Sequence, residues 1–470
     1  MIPISDFDGR DIAVFGLARS GIAAARALQA GGARVHAWDD KPESREAAAA
    51  AGVTLSDINA RDWRDFAALV LAPGIPLTHP KPHRVVELAR AVGVPILGDI
   101  ELFARAIAAR PAHQRPRVIA ITGTNGKSTT TALIGHILGH CGLDVHVGGN
   151  IGTGVLALPA LHAGAVYVLE LSSYQLDLTH NLRPDAAVLL NITPDHLDRH
   201  GTMENYVAAK KRIFANQGAG DWAVVGVDTP ETAAICTSLM TGASFVAPVS
   251  TIQALGRGVS VLSGKLYDAL EGRAQAICDL ADADSLPGRH NHQNAAAAYA
   301  AARAMGASPA DIAAGLRSFP GLAHRMETVA IIDGVRFVND SKATNADAAA
   351  QALAAYPRGV HWIAGGVAKD GGIASLARFF PKLAGSYVIG QSGDAFAETI
   401  GEAAVVCRAG QLDKAVTSAF EDARAKGGGI VLLSPAAASF DQYADFEARG
   451  DAFRAIVQAL GAAPANKERA

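Results

Sequence analysis

The run Thr122-Gly-Thr-Asn-Gly-Lys-Ser-Thr129 carries the most legible chemistry in this chain. The apolar stretch Val118–Ile121 precedes it and an Ala/Leu-bearing helical segment follows, so the glycines lie in a strand-to-helix loop. In such a loop the backbone N–H groups and a helix N-terminus face an anion, the arrangement that holds nucleotide phosphates. Lys127 is placed to reach the β/γ-phosphates, and the Ser128 hydroxyl to meet Mg²⁺. The run is shorter than a Walker A motif, because Ile121 stands where the first glycine would be. ATP binding is the expectation, through Gly123, Thr124, Asn125, Gly126, Lys127, Ser128 and Thr129.

Three polar clusters follow downstream. Val166–Leu169 reads as an apolar strand that delivers Glu170 at its end, where ligands of open α/β sheets collect and a nucleotide-held metal is within reach. Leu189-Leu-Asn-Ile-Thr-Pro-Asp-His-Leu-Asp-Arg-His200 empties another strand into a loop rich in Asp and His, residue types that ligate metals. Within it His200 is expected at the surface. Tyr206-Val-Ala-Ala-Lys-Lys-Arg212 reads locally as a basic helical face and no more. Farther on, Asn291 and Asn294 fall on one face of an Ala-rich helix, where they could meet the edge of a base or simply cap and turn the chain. Near the C-terminus, Asn339-Asp-Ser-Lys-Ala-Thr344, Gly365–Gly372 and Ser434–Gly450 each follow a strand. Their Lys, Thr and Ser side chains suit a small dicarboxylate.

These groups need a scaffold of strands with helices between them. Short β-branched runs alternate with Ala/Leu-rich segments throughout, the pattern of βαβ units on parallel sheets. The length of 470 residues predicts about three domains. Boundaries are expected in the proline-bearing segment Ala109–Pro116 and around Gly321–Arg325, giving domains 1–110, 111–321 and 322–470. The first unit, Ile12–Phe15 followed by Gly16-Leu-Ala-Arg-Ser-Gly21 and Arg34–Asp39, resembles a dinucleotide fingerprint with Ala18 at the middle glycine. A nucleotide-type ligand fits there better than NAD. Half the residues are hydrophobic and 19% are charged, which implies a packed globular protein. The net charge of −3 gives no reason to expect nucleic acid or an anionic membrane as partner. The four cysteines form no CxxC pair, and neither a signal-peptide pattern nor a bilayer-length apolar run is present, so a cytoplasmic protein without membrane insertion is expected. The terminal AAPANKERA is expected to fray.

In order, the motifs TGTNGKST, ELSSYQL, NITPDHLDRH, AAKKRIF, GRHNHQN, AHRME, NDSKATN and SPAAASFDQY resemble those of the Mur ligases, ATP-dependent amino-acid-adding enzymes of peptidoglycan synthesis. NDSKAT and SPAAASFDQY look like the branch that adds D-glutamate. The resemblance covers essentially the whole chain. It implies three α/β domains: an amino-terminal Rossmann-like one for the UDP substrate, a central P-loop ATPase-type parallel sheet, and a carboxy-terminal Rossmann-like one that binds D-glutamate and closes on ATP. The implied partners are UDP-N-acetylmuramoyl-L-alanine and D-glutamate, with ATP and two Mg²⁺ ions as cofactors and a monomer as the working state. One Mg²⁺ would take Ser128 and Glu170, and the second His196 and a carbamate on Lys210, with Lys211 as the alternative carrier. Asn291, Arg325 and Asp340 would contact ATP. Arg19, Ser20, Asp39, Asp40, Pro73, Gly74, Asn150, Ser172 and Gln175 would hold the UDP substrate, although Ala18 and Ala72 depart from the family's Gly and Ser. Thr344, Lys369, Ser439, Phe440 and Phe446 would meet D-glutamate.

Overall fold

A computed structural model describes residues 1–369 and 371–462. All of the AAPANKERA tail beyond Ala462 lies outside the described residues. The architecture is α/β on three sheets. The first sheet comprises β1 (Asp11–Phe15), β2 (Arg34–Trp38), β3 (Ala68–Leu71) and β4 (Ile96–Leu97), all parallel in the order β2-β1-β3-β4. The second comprises β5 (Arg117–Thr122), β6 (Asp144–Gly149), β7 (Ala165–Glu170), β8 (Ala186–Leu189), β9 (Trp222–Gly226), β10 (Phe245–Ser250), β11 (Val259–Leu262), β12 (Lys265–Asp268) and β13 (Gln275–Asp279). Its order is β13-β12-β11-β10-β9-β8-β5-β7-β6, parallel except at β12 and β13. The third comprises β14 (Glu327–Ile332), β15 (Val335–Asn339), β16 (Val360–Gly365), β17 (Leu383–Ile389), β18 (Val406–Gly410) and β19 (Gly429–Leu433), in the order β14-β15-β19-β16-β17-β18 with β14 antiparallel.

The chain forms two compact units, residues 1–283 with 291–319, and residues 284–290 with those from 320 onward. The first two sheets share one unit because a single apolar core runs through both, from Ile12, Val14 and Leu28 by way of Phe103 to Tyr167, Leu189 and Val225. The central strands β5, β7 and β8 are apolar along almost their whole length, as a parallel sheet covered on both faces requires. The second unit has its own cores on the two faces of its sheet, one around Trp362 and Phe380, the other around Phe337, Tyr387 and Phe453.

Glu101 helps join the first two sheets. It sits in the helix Asp99–Ala108, fully buried, and its carboxylate accepts from the N–H groups of His180 and Asn181, from Asn181 Nδ2 and from Arg105 Nε. Burial works against the charge, but these donors outweigh it and hold the Glu101 pKa below the usual carboxylate value. A depressed folded pKa means that this stabilisation is complete above the unfolded pKa and is lost as pH falls through the folded one. Glu101→Ala should cost about 1–3 kcal/mol, because two backbone N–H groups, the Asn181 amide and an arginine lose their shared acceptor. Thermal unfolding should show the loss near neutral pH, narrowing as the solution is acidified below the carboxylate range. An unchanged melting temperature near neutrality would refute the role.

Candidate active-site cleft

The strand β5 runs out at Thr122, and the helix Lys127–His140 begins four residues beyond Gly123. Gly126 makes the turn between them with φ +86°, and a Cβ there would collide with Asn294 Oδ1. The loop is bracketed from its neighbours. Asn191, just past β8, accepts from Asn125 N at 2.9 Å and donates to Asn125 O at 3.2 Å and to Gln293 Oε1 at 3.0 Å. Thr124 Oγ1 meets Tyr206 OH at 3.0 Å and accepts from Thr193 N at 3.0 Å. Ser128 and Thr129 are buried in the first turn of the helix.

Two lysines converge on this loop. Lys127 Nζ donates to the carbonyls of Gly123 and Thr124 at 2.9 and 2.8 Å. Lys210 Nζ, on the helix Met203–Lys211, donates to the same Gly123 carbonyl at 2.8 Å and lies 4.7 Å over the Tyr206 ring. Lys210 is 1% exposed, and among the described residues no carboxylate forms an ion pair with it. Burial first, and then the Lys127 charge, drive its pKa well below that of an ordinary lysine, against the opposing pull of Asp195 and Glu170. Lys211, one helical step round, is exposed. The structure therefore separates two residues that the sequence left as alternatives.

Glu170 closes β7 and is 3% exposed. Its Oε1 accepts from Asn150 Nδ2 at 2.9 Å, whereas its Oε2 is buried without a hydrogen-bond donor. A buried carboxylate oxygen in that state fits a cation. His196 has φ +53° at the head of the short helix Leu197–His200, and its ring packs 4.9 Å from Tyr174. Partial burial lowers its pKa, Asp195 opposes this, and Lys127 and Lys210 reinforce it, which favours the neutral imidazole, the form able to ligate a metal. His200 is not at the surface as expected. It is buried, with Nε2 2.9 Å from Ser173 Oγ and its Nδ1 side facing Asp177, because the short helix turns it inward onto Ser173–Asp177.

A cleft of about 550 Å³ lies within the first unit. Arg19, Ser20, Pro73, Gly74, Asn150, Ser172 and Gln175 are on its wall together with Lys127, His196 and Lys210. The helix Arg19–Ala30 has no side-chain cap, and the residues at its head, Ala18, Arg19 and Ser20, line the cleft. Arg19 Nη1 also donates to Gly152 O at 2.7 Å, joining that helix to the loop after β6. Ser172 and Gln175 form a reciprocal capping box on the helix Ser173–Asp177, and Gln175 Nε2 reaches the buried Asp99 at 3.3 Å. Asp39 and Asp40 are not on the cleft wall. Asp39 accepts from Leu17 N and Lys41 N, and Asp40 pairs with His83 at 3.0 Å.

Asn291 lies in the first turn of the helix Arg289–Ala304 and accepts from Asn294 Nδ2 at 3.1 Å. Sequence reasoning missed Arg199, Tyr174 and Tyr206. Arg199 is buried, lies 5.2 Å over the Tyr174 ring and donates to the carbonyls of Pro73 and Ile75. It thereby fixes the Pro73-Gly74 turn from the DHLDRH loop, and only its place in that loop hinted at it.

In the second unit, β15, β19 and β16 are neighbours, so the segments that follow them share one rim. Asp340 is buried there, accepting from Ser434 Oγ at 2.8 Å and Met326 N at 3.2 Å. Burial pushes its pKa up to about 7, against the Ser434 hydrogen bond and the Arg325 charge. Arg325 Nε is buried without a hydrogen-bond acceptor. Thr344 is half-buried, Ser439 buried and Lys369 exposed, and the Phe440 side chain is 73% exposed. Phe446 opens the last helix, and its carbonyl accepts from Ser341 Oγ at 2.8 Å. The unforeseen residue is Arg449, 1% exposed, which donates to Ser341 Oγ and O and to Ala437 O at 2.9–3.1 Å and so ties the post-β15 and post-β19 segments together.

Residues 121–302 match the model of the Mur ligase middle domain, and residues 324–437 that of the Mur ligase glutamate ligase domain. The UDP-N-acetylmuramoylalanine–D-glutamate ligase of Phenylobacterium zucineum is 61% identical over 463 residues, covering 98% of both chains. The ligase of the same name from Caulobacter vibrioides is 61% identical over 465 residues, with 98% of each chain covered. The fold is similar to the crystal structure of UDP-N-acetylmuramate-alanine ligase from Thermotoga maritima, with a TM-score of 0.56 at 18% identity over 96% of this chain and 99% of that one.

Gly126→Ala should weaken binding of a fluorescent ATP analogue by at least about tenfold, since it strains the loop and displaces Asn294 from it. The circular dichroism spectrum should remain that of the parent. Equal affinity in the two proteins would show that this loop does not hold the nucleotide.

Proposed function

The chain belongs to the Mur ligase family, and on that premise we propose that it joins the carboxyl of UDP-N-acetylmuramoyl-L-alanine to the amine of D-glutamate, with ATP going to ADP and phosphate, in peptidoglycan precursor synthesis. The full-length match to ligases of that name carries the reading. It works as a monomer in the cytoplasm, where a nucleotide-linked precursor and ATP meet. Among the described residues no helix is long and apolar enough to cross a membrane. Residues 1–110 serve the UDP substrate, 111–321 serve ATP, and those from 322 onward serve D-glutamate.

A carboxylate is a poor electrophile, so its oxygen first attacks the γ-phosphorus and the β–γ bridging oxygen leaves with ADP. The D-glutamate amine then attacks the acyl-phosphate carbon. The tetrahedral intermediate breaks its C–O bond to phosphate, and the amine loses a proton. Two anions must approach in the first step, so fixed cations dominate the rate. Lys127 and the loop N–H groups receive the phosphates, and Lys127 Nζ exchanges its contacts with Gly123 and Thr124 for phosphoryl oxygen. Removing one such contact costs about 10²–10³ in rate.

Mg²⁺ would neutralise phosphate charge. Ser128 and the unpaired Oε2 of Glu170 would hold one ion, and His196 a second. Lys210 can join His196 only after CO₂ adds to its neutral amine, forming an N–C bond, releasing a proton and leaving a carbamate. Its burial and depressed pKa favour that reaction. Arg19, Ser20, Pro73, Gly74, Asn150, Ser172 and Gln175 orient the UDP substrate along the cleft wall. In the second unit, Thr344, Lys369, Ser439 and the backbone near Phe440 and Phe446 take the amino-acid carboxylates.

ADP release should require D-glutamate when D-glutamate, L-glutamate, L-lysine and meso-diaminopimelate are offered in turn with ATP, Mg²⁺ and the UDP substrate. Turnover with another of the four, or with none, would overturn the substrate assignment. Lys210→Ala should be nearly inactive and partly rescued by acetate or formate, which supply the missing oxygens, whereas Lys127→Ala should not be rescued. Full activity of Lys210→Ala without additive would rule the carbamate out.

A further inference from the structure

Away from the cleft, at the opposite end of the central strands, Asp144 and His146 open the edge strand β6 two residues apart, and so lie on one face of it. His162 stands in the turn before β7, and its carbonyl accepts from Ala165 N at 3.1 Å. The three side chains converge. His162 Nε2 is 2.9 Å and His146 Nε2 3.6 Å from the Asp144 carboxylate, and one ligand atom from each residue lies within 4.8 Å of the others.

His146 Nε2 is shielded from solvent yet makes no hydrogen bond. Its ring is positioned by Tyr167, its register partner on β7, with centroids 5.1 Å apart. The Tyr167 hydroxyl in turn donates to Pro159 O at 2.9 Å, which fixes the loop that carries His162. An ordinary ion pair accounts for His162 and Asp144 but leaves the buried nitrogen of His146 without a hydrogen bond, its nearest Asp144 oxygen 3.6 Å away. A shared cation accounts for all three.

We propose that Asp144, His146 and His162 bind one divalent transition-metal ion of the zinc class, separate from the nucleotide cleft. Two imidazole nitrogens and a carboxylate oxygen suit Zn²⁺, Co²⁺ or Ni²⁺, whereas Mg²⁺ prefers oxygen donors alone. Metal–ligand bonds of about 2.0–2.1 Å in a tetrahedron put donor atoms about 3.3 Å apart. The spacings from the two imidazoles to the two Asp144 oxygens, 3.6 and 2.9 Å, bracket that value, and all three ligand atoms already lie within 4.8 Å, so side-chain rotation can bring them onto one ion. Asp144 and His162 are each about half exposed, which leaves an entry path and a position for water. Bound there, the ion would clip the start of β6 to the turn before β7. The far end of β6 carries Gly149 and leads to Asn150 on the cleft wall.

The test is a Co²⁺ titration of the full chain after chelator treatment, in excess Mg²⁺ to occupy oxygen-ligand sites, followed by visible absorption and thermal unfolding. One Co²⁺ per chain should give a visible band that Zn²⁺ abolishes, and either ion should raise the melting temperature. His162→Ala and Asp144→Asn change half-exposed side chains and should weaken binding by more than about tenfold, since loss of even an outer partner of a metal ligand costs that much. Both should also lose the thermal shift, whereas His196→Ala should keep band and shift alike. Absence of the band in the parent protein, or parent-like Co²⁺ affinity in His162→Ala, would overturn the proposal.

Discussion

Two lysine ammonium groups donate to a single carbonyl, that of Gly123, and the rest of the cleft is arranged around that crowding. Like charges so close in a buried setting repel strongly. Each must therefore shed its charge or meet an anion. Lys210 is pushed toward the first course, its pKa driven well down by burial and by Lys127. Lys127 lies at the head of a helix, where the N-terminal N–H groups and a lysine charge together favour an anion. The loop that carries the shared carbonyl cannot relax away, because Asn191 holds Asn125 by both its N–H and its C=O, and Thr124 is held by Tyr206 and Thr193. Such an arrangement suits a polyanion.

The same constraint explains why the walls are built from interlocked polar side chains. Glu170 is oriented by Asn150, Gln175 by Asp99 and its own capping box, and the Pro73-Gly74 turn by Arg199. Each bond fixes a rotamer before substrate binds, so less ordering entropy remains to be lost on binding. Burial raises the Asp99 pKa to about 6, against the hydrogen bonds from Ile100 and Gln175, which marks how dry the back of this wall is.

What could be read from the sequence follows from how local each signal is. The phosphate loop was legible because its glycines, lysine and serine lie within eight residues and act through backbone geometry. Glu170 was legible because an apolar strand aims it at a rim. Lys210 was not legible from local pattern: a lysine on a helix looks solvated until the partner that buries it is known, and that partner, the Gly123 carbonyl, lies 87 positions away. Family resemblance alone singled it out. Arg199 and Arg449 escaped for the same reason, since each serves carbonyls that come together only once the strands are in register. His200 was misread because a histidine in a polar loop resembles a surface residue, whereas the short helix that follows the left-handed backbone of His196 turns Arg199 and His200 inward.

The second unit applies the same physics with the opposite sign. Its rim buries a carboxylate, Asp340, among a hydroxyl, a backbone N–H and the nearby charge of Arg325, yet the pKa still rises to about 7. Burial therefore costs the charged form more than those neighbours return. Arg449, also buried, spends its donors on Ser341 and Ala437 and forms no ion pair among the described residues; burial draws its pKa down to about 10. Neither charge has its opposite in contact, so both are held by neutral dipoles. Such groups hold their hydrogen-bonding geometry through the protein alone, an independence that would suit the proposed recognition of carboxylates at this rim. An internal ion pair would instead set a protein carboxylate in competition with the ligand's own. Lys369, by contrast, is exposed, and its charge is not drawn into this buried framework.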